Sequence, residues 1–144
     1  RIAMWGISMG GAYTLYTMPL DARISVAIIS GWFNHRIRKM MVEDPNYSCF
    51  LSTEEEHAFL PGLLNGFSDR DLVYLICPRP LLIQTGRYDS VSHPPLVEEE
   101  ARAARVPYKK LGLEDRFEWD LFNGGHEIHN ETGLRFLKKW LKPS

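Results

Sequence analysis

The sequence predicts an α/β fold with a mostly parallel sheet. Short apolar segments of strand length alternate along the chain with longer segments of helix length. Glycines come directly after several of the apolar segments, as in the turns that follow buried strands. Because alternating strands and helices build βαβ units, we expect parallel strands whose carboxyl ends share one edge of the sheet.

Four segments are predicted to be strands. Residues 2–5 form a short apolar run that ends at a glycine, and residues 24–29 are rich in β-branched side chains. Residues 81–84 form a third buried strand. Residues 117–122 alternate apolar with polar side chains, which favours a strand nearer the edge of the sheet.

Helices are predicted between and after these strands. The first covers residues 9–18 and is stopped by Pro19. Two later helices cover residues 96–111 and 131–141, where apolar residues recur at three- and four-residue spacing.

The connection between the second and third strands is longer than a helix with two short loops requires, since it runs from residue 31 to residue 79. Residues 45–66 are aromatic and irregular. The excess lies at the carboxyl end of a strand, where open α/β sheets bind their ligands. We therefore interpret about 31–67 as a cap-like insertion that covers the site.

Two short helices are expected to flank this insertion. Residues 35–42 form the first, with its basic side chains in solvent, namely Arg36, Arg38 and Lys39. Ser68 caps the second, which runs to Ile76 and carries two acidic residues in its first turn.

The composition excludes several classes of protein. The 144 residues carry 17 basic and 18 acidic side chains, so the net charge is −1, which argues against a general nucleic-acid binder. Contents of 44% hydrophobic and 24% charged residues are ordinary for a globular domain. No apolar run approaches the ~18 residues of a membrane span. We expect neither a nucleic-acid nor a membrane partner.

No constellation for a metal or a cofactor is visible in the sequence, and we expect none. Cys49 and Cys77 have neither metal-ligand spacing nor the density of a secreted disulfide scaffold. The acidic runs at 54–57 and 98–100 are typical of solvated helix faces. The compartment stays open, with the cytoplasm slightly favoured.

The motif that predicts chemistry is Gly-Ile-Ser-Met-Gly at residues 6–10, followed by Gly11. It matches G-x-S-x-G, with a strand predicted before it and a helix after it. Such a turn projects the Ser8 hydroxyl above the sheet edge, and its tightness explains glycines on both flanks. The N–H of Met9, directly after the serine, is the predicted oxyanion donor.

A nucleophilic serine needs a base and an acid that orients the base. Asp89 follows the third predicted strand and His126 follows the fourth, so both fall on the edge that carries Ser8. His129 competes as the base, but it lies where the last helix starts and should point away from the strand end. We therefore predict Ser8, Asp89 and His126 as the catalytic residues.

The remaining histidines, His35, His57 and His93, follow no strand in the required order. We interpret them as surface or pocket-lining residues. Trp32 and His35 come just after the second strand, at the catalytic edge, and are predicted to line the substrate pocket.

These motifs resemble the α/β-hydrolase superfamily, and most of all its dienelactone hydrolase and acetyl-xylan-esterase-like branch. The matching residues are the turn at 6–11, Gly86 with Asp89, and the segment 124–127. The resemblance implies a three-layer fold with Ser8 as nucleophile, Asp89 as acid and His126 as base. Dienelactone hydrolases carry a cysteine in the turn, so Ser8 implies serine esterase chemistry instead.

The resemblance extends over nearly all of residues 1–144, but only to the C-terminal part of one family domain. The family strands that precede the nucleophile turn would be missing, together with the loop that supplies a second oxyanion N–H. The chain also begins at Arg1 without a methionine. We expect a fragment that self-associates or requires its missing N-terminal part.

Three functional interpretations remain open. The first is a serine hydrolase that acts on small-molecule carboxylic esters through an acyl-enzyme. The second is a serine peptidase of the prolyl-oligopeptidase type, whose turn has the same pattern. The third is a truncated remnant without turnover, since loss of one oxyanion donor slows such reactions by about 10²–10³-fold.

Overall fold

The four predicted strands form a parallel sheet in the computed structural model, which describes residues 2–41, 44–48 and 62–141. The strands are β1 (Ile2–Ile7), β2 (Ile24–Ser30), β3 (Leu81–Gly86) and β4 (Phe117–Phe122), in the spatial order β1-β2-β3-β4. Each strand pairs in parallel with the next. Among the described strands β4 lies at one edge, as its alternating sequence predicts, and β1 lies at the other.

Helices connect and cover these strands: α1 (Met9–Leu20), α2 (Arg36–Met41), α3 (Leu63–Gly66), α4 (Asp69–Ile76), α5 (Pro94–Ala104), α6 (Val106–Lys110) and α7 (Asn130–Trp140). A 3-10 turn at Glu114–Arg116 leads into β4. Within the described ranges, every helix is too short or too polar to cross a membrane.

The sheet separates two apolar cores, which gives the three-layer arrangement. Side chains of β2 alternate between them: Ala27 and Ile29 enter the larger core, and Val26 and Ile28 enter the smaller one. The larger core lies under α1, α4 and α5. The smaller core is closed by α7, whose Phe136 is fully buried. The sheet edge with the carboxyl ends of the strands is thus held between helical layers.

Two proline positions set helix boundaries that differ from the predicted ones. Pro19 lies inside the last turn of α1, which runs to Leu20 rather than ending before the proline. The predicted helix over 96–111 is two helices, because α5 ends at Ala104 and α6 contains Pro107. The Pro107 ring has no N–H to donate and crowds the carbonyl four residues before it, so one continuous helix is disfavoured.

The basic residues of α2 are not all in solvent, as the sequence suggested. Arg36 is 2% exposed and forms a bidentate ion pair with Asp69, which is fully buried. Lys39 is also buried, and its Nζ donates to Ser48 Oγ at 2.7 Å. Arg38 is half exposed and pairs with Glu99 on the surface. A burial pattern of this kind depends on tertiary partners that the local sequence does not reveal.

Glu100 also departs from the expectation that the acidic run 98–100 is solvated. Its side chain is fully buried and accepts the Arg70 N–H at 2.9 Å, near the start of α4. Burial raises the pKa of this carboxyl above its ordinary value. Ser68 caps α4 as predicted, with its N–H and Oγ both bonded to Asp71 Oδ2.

The predicted insertion at about 31–67 is only partly described. It contains α2, α3 and residues 44–48, whose Ser48 N–H donates to the Ser90 carbonyl at 2.6 Å. Residues 42–43 and 49–61, with Cys49 and the 54–57 acidic run, lie outside the described residues. Its role as a cap stays a prediction.

Candidate active site

Ser8 occupies a strained turn between β1 and α1. Its backbone angles are φ 55° and ψ −125°, which place a non-glycine residue in a sparsely populated region. The Ser8 N–H donates to the Ser30 carbonyl at 3.0 Å, and the Ser8 carbonyl accepts the Ala12 N–H at 3.0 Å. The turn is therefore held on one side by the end of β2 and on the other by the first turn of α1.

Close packing around this turn explains two of its three glycines. A Cβ on Gly6 would lie 2.0 Å from the Gly10 carbonyl oxygen, and a Cβ on Gly11 would lie 2.8 Å from Trp32 Cβ. A Cβ on Gly10 would meet no described atom within 4 Å. The expectation that both flanking positions exclude side chains is wrong for Gly10, because the crowding falls at Gly6 and Gly11.

Met9 is the first residue of α1. An N–H in the first turn of a helix has no carbonyl one turn earlier in the same helix to accept it, and the helix dipole adds partial positive charge there. These properties are what an oxyanion donor requires. The assignment of the Met9 N–H to that role stays a prediction.

Asp89 and His126 are brought together by the turn after β3 and the loop after β4. His126 Nδ1 lies 3.0 Å from Asp89 Oδ1 and 3.1 Å from Asp89 Oδ2. Asp89 is 1% exposed, and its Oδ1 also accepts the N–H groups of Val91 at 2.7 Å and Ser92 at 3.1 Å. The neighbouring backbone N–H groups thus hold the carboxylate in an orientation that faces Nδ1 of His126.

Burial and hydrogen bonding act in opposite directions on the Asp89 carboxyl. Burial raises its pKa, while the hydrogen bond from His126 and the N–H groups of Val91 and Ser92 lower it. The lowering contributions together prevail, so the pKa of Asp89 lies below its ordinary value. The side chain is an anion at neutral pH despite its burial.

The two loops that carry Asp89 and His126 pack backbone against backbone. A Cβ on Gly86 would lie 2.2 Å from the Gly125 oxygen and 2.5 Å from the Gly124 oxygen. The Tyr88 N–H donates to the Gly124 carbonyl at 3.0 Å, so the two loops also share a hydrogen bond. This close approach brings the acid within reach of the base.

Gly31 lies beneath this pair, and the sequence reasoning did not select it. Its φ is +57°, and a Cβ there would lie 2.8 Å from His126 Cε1, 2.9 Å from His126 Nδ1 and 3.2 Å from Asp89 Oδ2. Gly31 directly follows Ser30, whose carbonyl holds the Ser8 N–H. The signal available in the sequence was a glycine at the carboxyl end of a buried strand.

His129 has a different partner from His126. It lies directly before α7, as predicted, and its Nδ1 is 2.7 Å from Asp120 Oδ2 and 3.0 Å from Thr132 Oγ1. Its ring stacks on Phe122. The described residues therefore include two histidine–aspartate pairs, and Asp89 is bonded to His126.

Trp32 and His35, the predicted pocket residues, follow Gly31 in the sequence. Trp32 is buried in the larger core, with the Arg36 guanidinium 4.2 Å from its ring centroid. His35 is partly buried, and its N–H donates to Asn34 Oδ1. Their role in binding substrate stays a prediction.

His93 and His57 complete the histidines. His93 stacks on Tyr47 with 4.1 Å between the ring centroids, and burial lowers its pKa. His57 lies outside the described residues. Within the described ranges no three His, Cys, Asp or Glu side chains are grouped so that they could hold a metal ion.

Comparison with known sequences finds one curated relative of significant similarity. No family model matches the chain. The relative is "Putative hydrolase YtaP" of Bacillus subtilis (strain 168), which is 28% identical over 145 residues. The match covers 98% of this chain and 46% of the relative, so the chain spans less than half of that protein's length.

Solved structures match the fold more widely. A family 15 glucuronoyl esterase from Caldicellulosiruptor kristjansonii superposes with a TM-score of 0.74 at 20% identity, over 93% of this chain and 41% of that one. The Pyrococcus horikoshii acylaminoacyl peptidase superposes with a TM-score of 0.69 at 17% identity, over 99% of this chain and 24% of that one. At such identities the likeness shows the fold.

Proposed function

This chain has the α/β-hydrolase fold, and we propose that it carries the nucleophile, acid and base of a serine hydrolase that cleaves carboxylic esters. The observation that carries the proposal is the Asp89–His126 pair, with 3.0 Å between Oδ1 and Nδ1, at the edge of the sheet where Ser8 sits in a strained turn. A histidine oriented by a buried carboxylate is the base that an uncharged serine requires.

In the proposed acylation step, Ser8 Oγ attacks the ester carbonyl carbon while His126 Nε2 takes the hydroxyl proton. Asp89 keeps the remaining proton of the ring on Nδ1 and stabilises the imidazolium that forms. The Met9 N–H donates to the oxygen on which negative charge develops. His126 then returns the proton to the leaving alcohol, and the acyl group remains on Ser8.

Hydrolysis of the acyl-enzyme uses the same groups in the reverse order. His126 takes a proton from water, the resulting hydroxide attacks the acyl carbon, and the proton returns to Ser8 Oγ as the carboxylic acid leaves. The serine is regenerated without any change in the charge of Asp89. Neither step requires an oxidant or a reductant.

The comparisons support a hydrolase in general terms, since the curated relative is named a hydrolase and several structural neighbours are named esterases. Because the chain covers less than half of these proteins, the activity is proposed for the polypeptide that contains this sequence. The closer likeness to dienelactone hydrolases stays a prediction from the motif.

Labelling with a fluorophosphonate tests the nucleophile. The native polypeptide should gain one covalent adduct, and mass spectrometry should locate it on the peptide that contains Ser8. Ser8→Ala should abolish labelling while leaving the fold intact by circular dichroism. A folded protein that gains no adduct on Ser8 would exclude this assignment.

The two histidine–aspartate pairs provide a matched test of the base. His126→Ala should abolish labelling, because it removes the imidazole bonded to Asp89. His129→Ala removes an imidazole bonded to Asp120 and should retain most of the labelling rate. The opposite result would assign the base to His129.

A peptidase is the second candidate, and the acylaminoacyl peptidase neighbours favour it because they match nearly the whole chain. Turnover of a p-nitrophenyl ester should be compared with turnover of a proline amide. Hydrolysis of the ester alone supports the esterase. Hydrolysis of the amide at a similar kcat/KM would favour the peptidase instead.

A further inference from the structure

We propose that Ser30 and Gln84 are positioning residues for the candidate active site, and that their side chains hold the Ser8 turn and the His126 loop in register. The inference rests on the proposed function. Both residues act through hydrogen bonds to the elements that support the site.

A series of hydrogen bonds crosses the sheet near its carboxyl edge. Trp5 Nε1 donates to Ser30 Oγ at 3.0 Å, and Ser30 Oγ donates to Gln84 Oε1 at 2.7 Å. Gln84 Nε2 donates to the His129 carbonyl at 2.7 Å and lies 3.5 Å from Asp120 Oδ2. The side chains come in turn from β1, β2, β3 and β4, and the series ends at the start of α7.

The donor and acceptor atoms fix the direction of each hydrogen bond in this series. An indole N–H can only donate a hydrogen bond, so Ser30 Oγ accepts from Trp5. The Ser30 hydroxyl then donates its own hydrogen bond to Gln84 Oε1. The Gln84 amide group is then left to donate to the His129 carbonyl. Each side chain has one favourable orientation, and a change at Gln84 leaves the hydroxyl of Ser30 and the carbonyl of His129 without these partners.

The same two residues hold the site through their backbone carbonyls. The Ser30 carbonyl accepts the Ser8 N–H at 3.0 Å, and the Gln84 carbonyl accepts the Gly31 N–H at 3.0 Å. The His129 carbonyl that Gln84 holds lies three residues after His126. Gln84 is therefore linked to the supports of both the nucleophile and the base.

Burial makes these hydrogen bonds costly to break. Ser30 and Gln84 are almost completely buried, and a buried polar group that loses its partner keeps the full cost of its desolvation. The strained backbone of Ser8 persists only where its surroundings hold it. Because the Ser30 carbonyl holds the Ser8 N–H, we expect a shift of the Ser30 backbone to displace Ser8 without unfolding the domain.

Gln84→Met is the first test, because methionine keeps the length of the side chain and removes all of the hydrogen bonds that the amide group makes. In the native polypeptide, the rate of fluorophosphonate labelling and kcat for an ester should each fall by at least about tenfold, as expected for a small misplacement of reacting groups. KM should stay within about twofold, since the change acts on the chemical step.

Thr85→Val is the matched control. Thr85 is the next residue of β3 and is as buried as Gln84, and its hydroxyl accepts the indole N–H of Trp119 at 3.1 Å. It faces away from the series of hydrogen bonds. This variant should lose thermal stability comparably to Gln84→Met but keep the labelling rate within about twofold of the wild type.

Ser30→Ala and the double variant test whether the two residues act as a unit. The single change should slow labelling as Gln84→Met does, and the double variant should be no slower than the slower single variant. Ser30→Ala also serves alone if Gln84→Met does not fold. Multiplied effects in the double variant would show that the residues act independently and would overturn the proposal.

The outcomes separate this inference from the proposed function. A wild-type protein that fluorophosphonate does not label refutes the serine hydrolase and this inference with it. A wild type that is labelled, with Gln84→Met labelled as fast as Thr85→Val, leaves the hydrolase standing and refutes the positioning role alone.

Discussion

Gly31 packs directly against the imidazole and the carboxylate of the candidate site. A side chain at Gly31 would press on both members of the Asp89–His126 pair, and its φ of +57° strains any other residue. We expect Gly31→Ala to abolish detectable labelling of Ser8 and to lower the free energy of unfolding by about 1–3 kcal/mol. Labelling kinetics and urea unfolding measure the two effects.

Gly112→Ala separates the backbone strain from the contact with the pair. Gly112 has a φ of +69°, but a Cβ there would meet no described atom within 4 Å. It should lose a similar amount of stability and keep its labelling rate. Equal labelling rates in the two variants would contradict the role given to Gly31.

Asp89 predicts how stability depends on acidity. Because its pKa is lower in the folded state, the stabilisation is complete above the ordinary carboxyl pKa of about 4 and is lost as the pH falls through the folded-state value. Urea unfolding between about pH 5 and pH 3 should show a smaller loss of stability in Asp89→Asn than in the wild type. Parallel losses in the two proteins would contradict this.

Residue types at strand ends were predictable because backbone direction alone brings the carboxyl ends of parallel strands together. That reasoning selected Ser8, Asp89 and His126 as candidates, and the structure bonds two of them to each other. Gly31 was missed, since its importance depends on what a Cβ would touch. Gly10 was explained wrongly for the same reason.

At the scale of elements, the buried Arg36–Asp69 pair joins α2 to α4. Asp69 accepts two hydrogen bonds from the Arg36 guanidinium and a third from the Asn34 N–H. Asp69→Ala leaves the guanidinium buried without its anion and should cost about 3–5 kcal/mol of unfolding free energy. Thermal and urea unfolding measure the loss.

The surface pair Arg38–Glu99 is the control, because both side chains are about half exposed. Glu99→Ala should cost less than about 1 kcal/mol. The double variant Arg36→Met with Asp69→Leu should recover much of the stability that Asp69→Ala loses, since no buried charge remains. A double variant as unstable as the single one would contradict this account.

Element boundaries show where sequence patterns fail. The strands were predicted within two residues, because short apolar runs between turns leave few alternatives. The helix over 96–111 was predicted as continuous from apolar spacing, although Pro107 divides it. Three buried charged residues were assigned to solvent from the sequence, namely Arg36, Lys39 and Glu100. A sequence shows the charge of a side chain but not the partner that stabilises it when it is buried.

For the whole molecule, the edge at β1 is the feature from which we predict behaviour in solution. Among the described strands β1 pairs only with β2, and Ile2 is 52% exposed. Tyr13 and Leu20 of α1 are exposed as well, Leu20 at 87%. An open strand edge beside exposed apolar side chains favours pairing between chains. We propose that the isolated 144-residue chain self-associates and hydrolyses esters weakly.

Size-exclusion chromatography with light scattering tests this proposal on the isolated chain. We expect species larger than a monomer, and Ile2→Lys should reduce them because a lysine at an edge disfavours strand pairing. A p-nitrophenyl acetate assay accompanies the measurement. A stable monomer whose turnover matches that of the native polypeptide and depends on Ser8 would refute the proposal.

The contact of Gly86 with the carbonyls of Gly124 and Gly125 also restricts how such a protein can be redesigned. We expect that neither loop tolerates being lengthened or exchanged alone, because each backbone packs against the other. A chimaera that takes only residues 123–127 from a relative would inherit a loop shaped for a different neighbour. Loop grafting therefore has to transplant residues 86–89 together with 123–127, as a single unit assembled from two distant stretches of the gene.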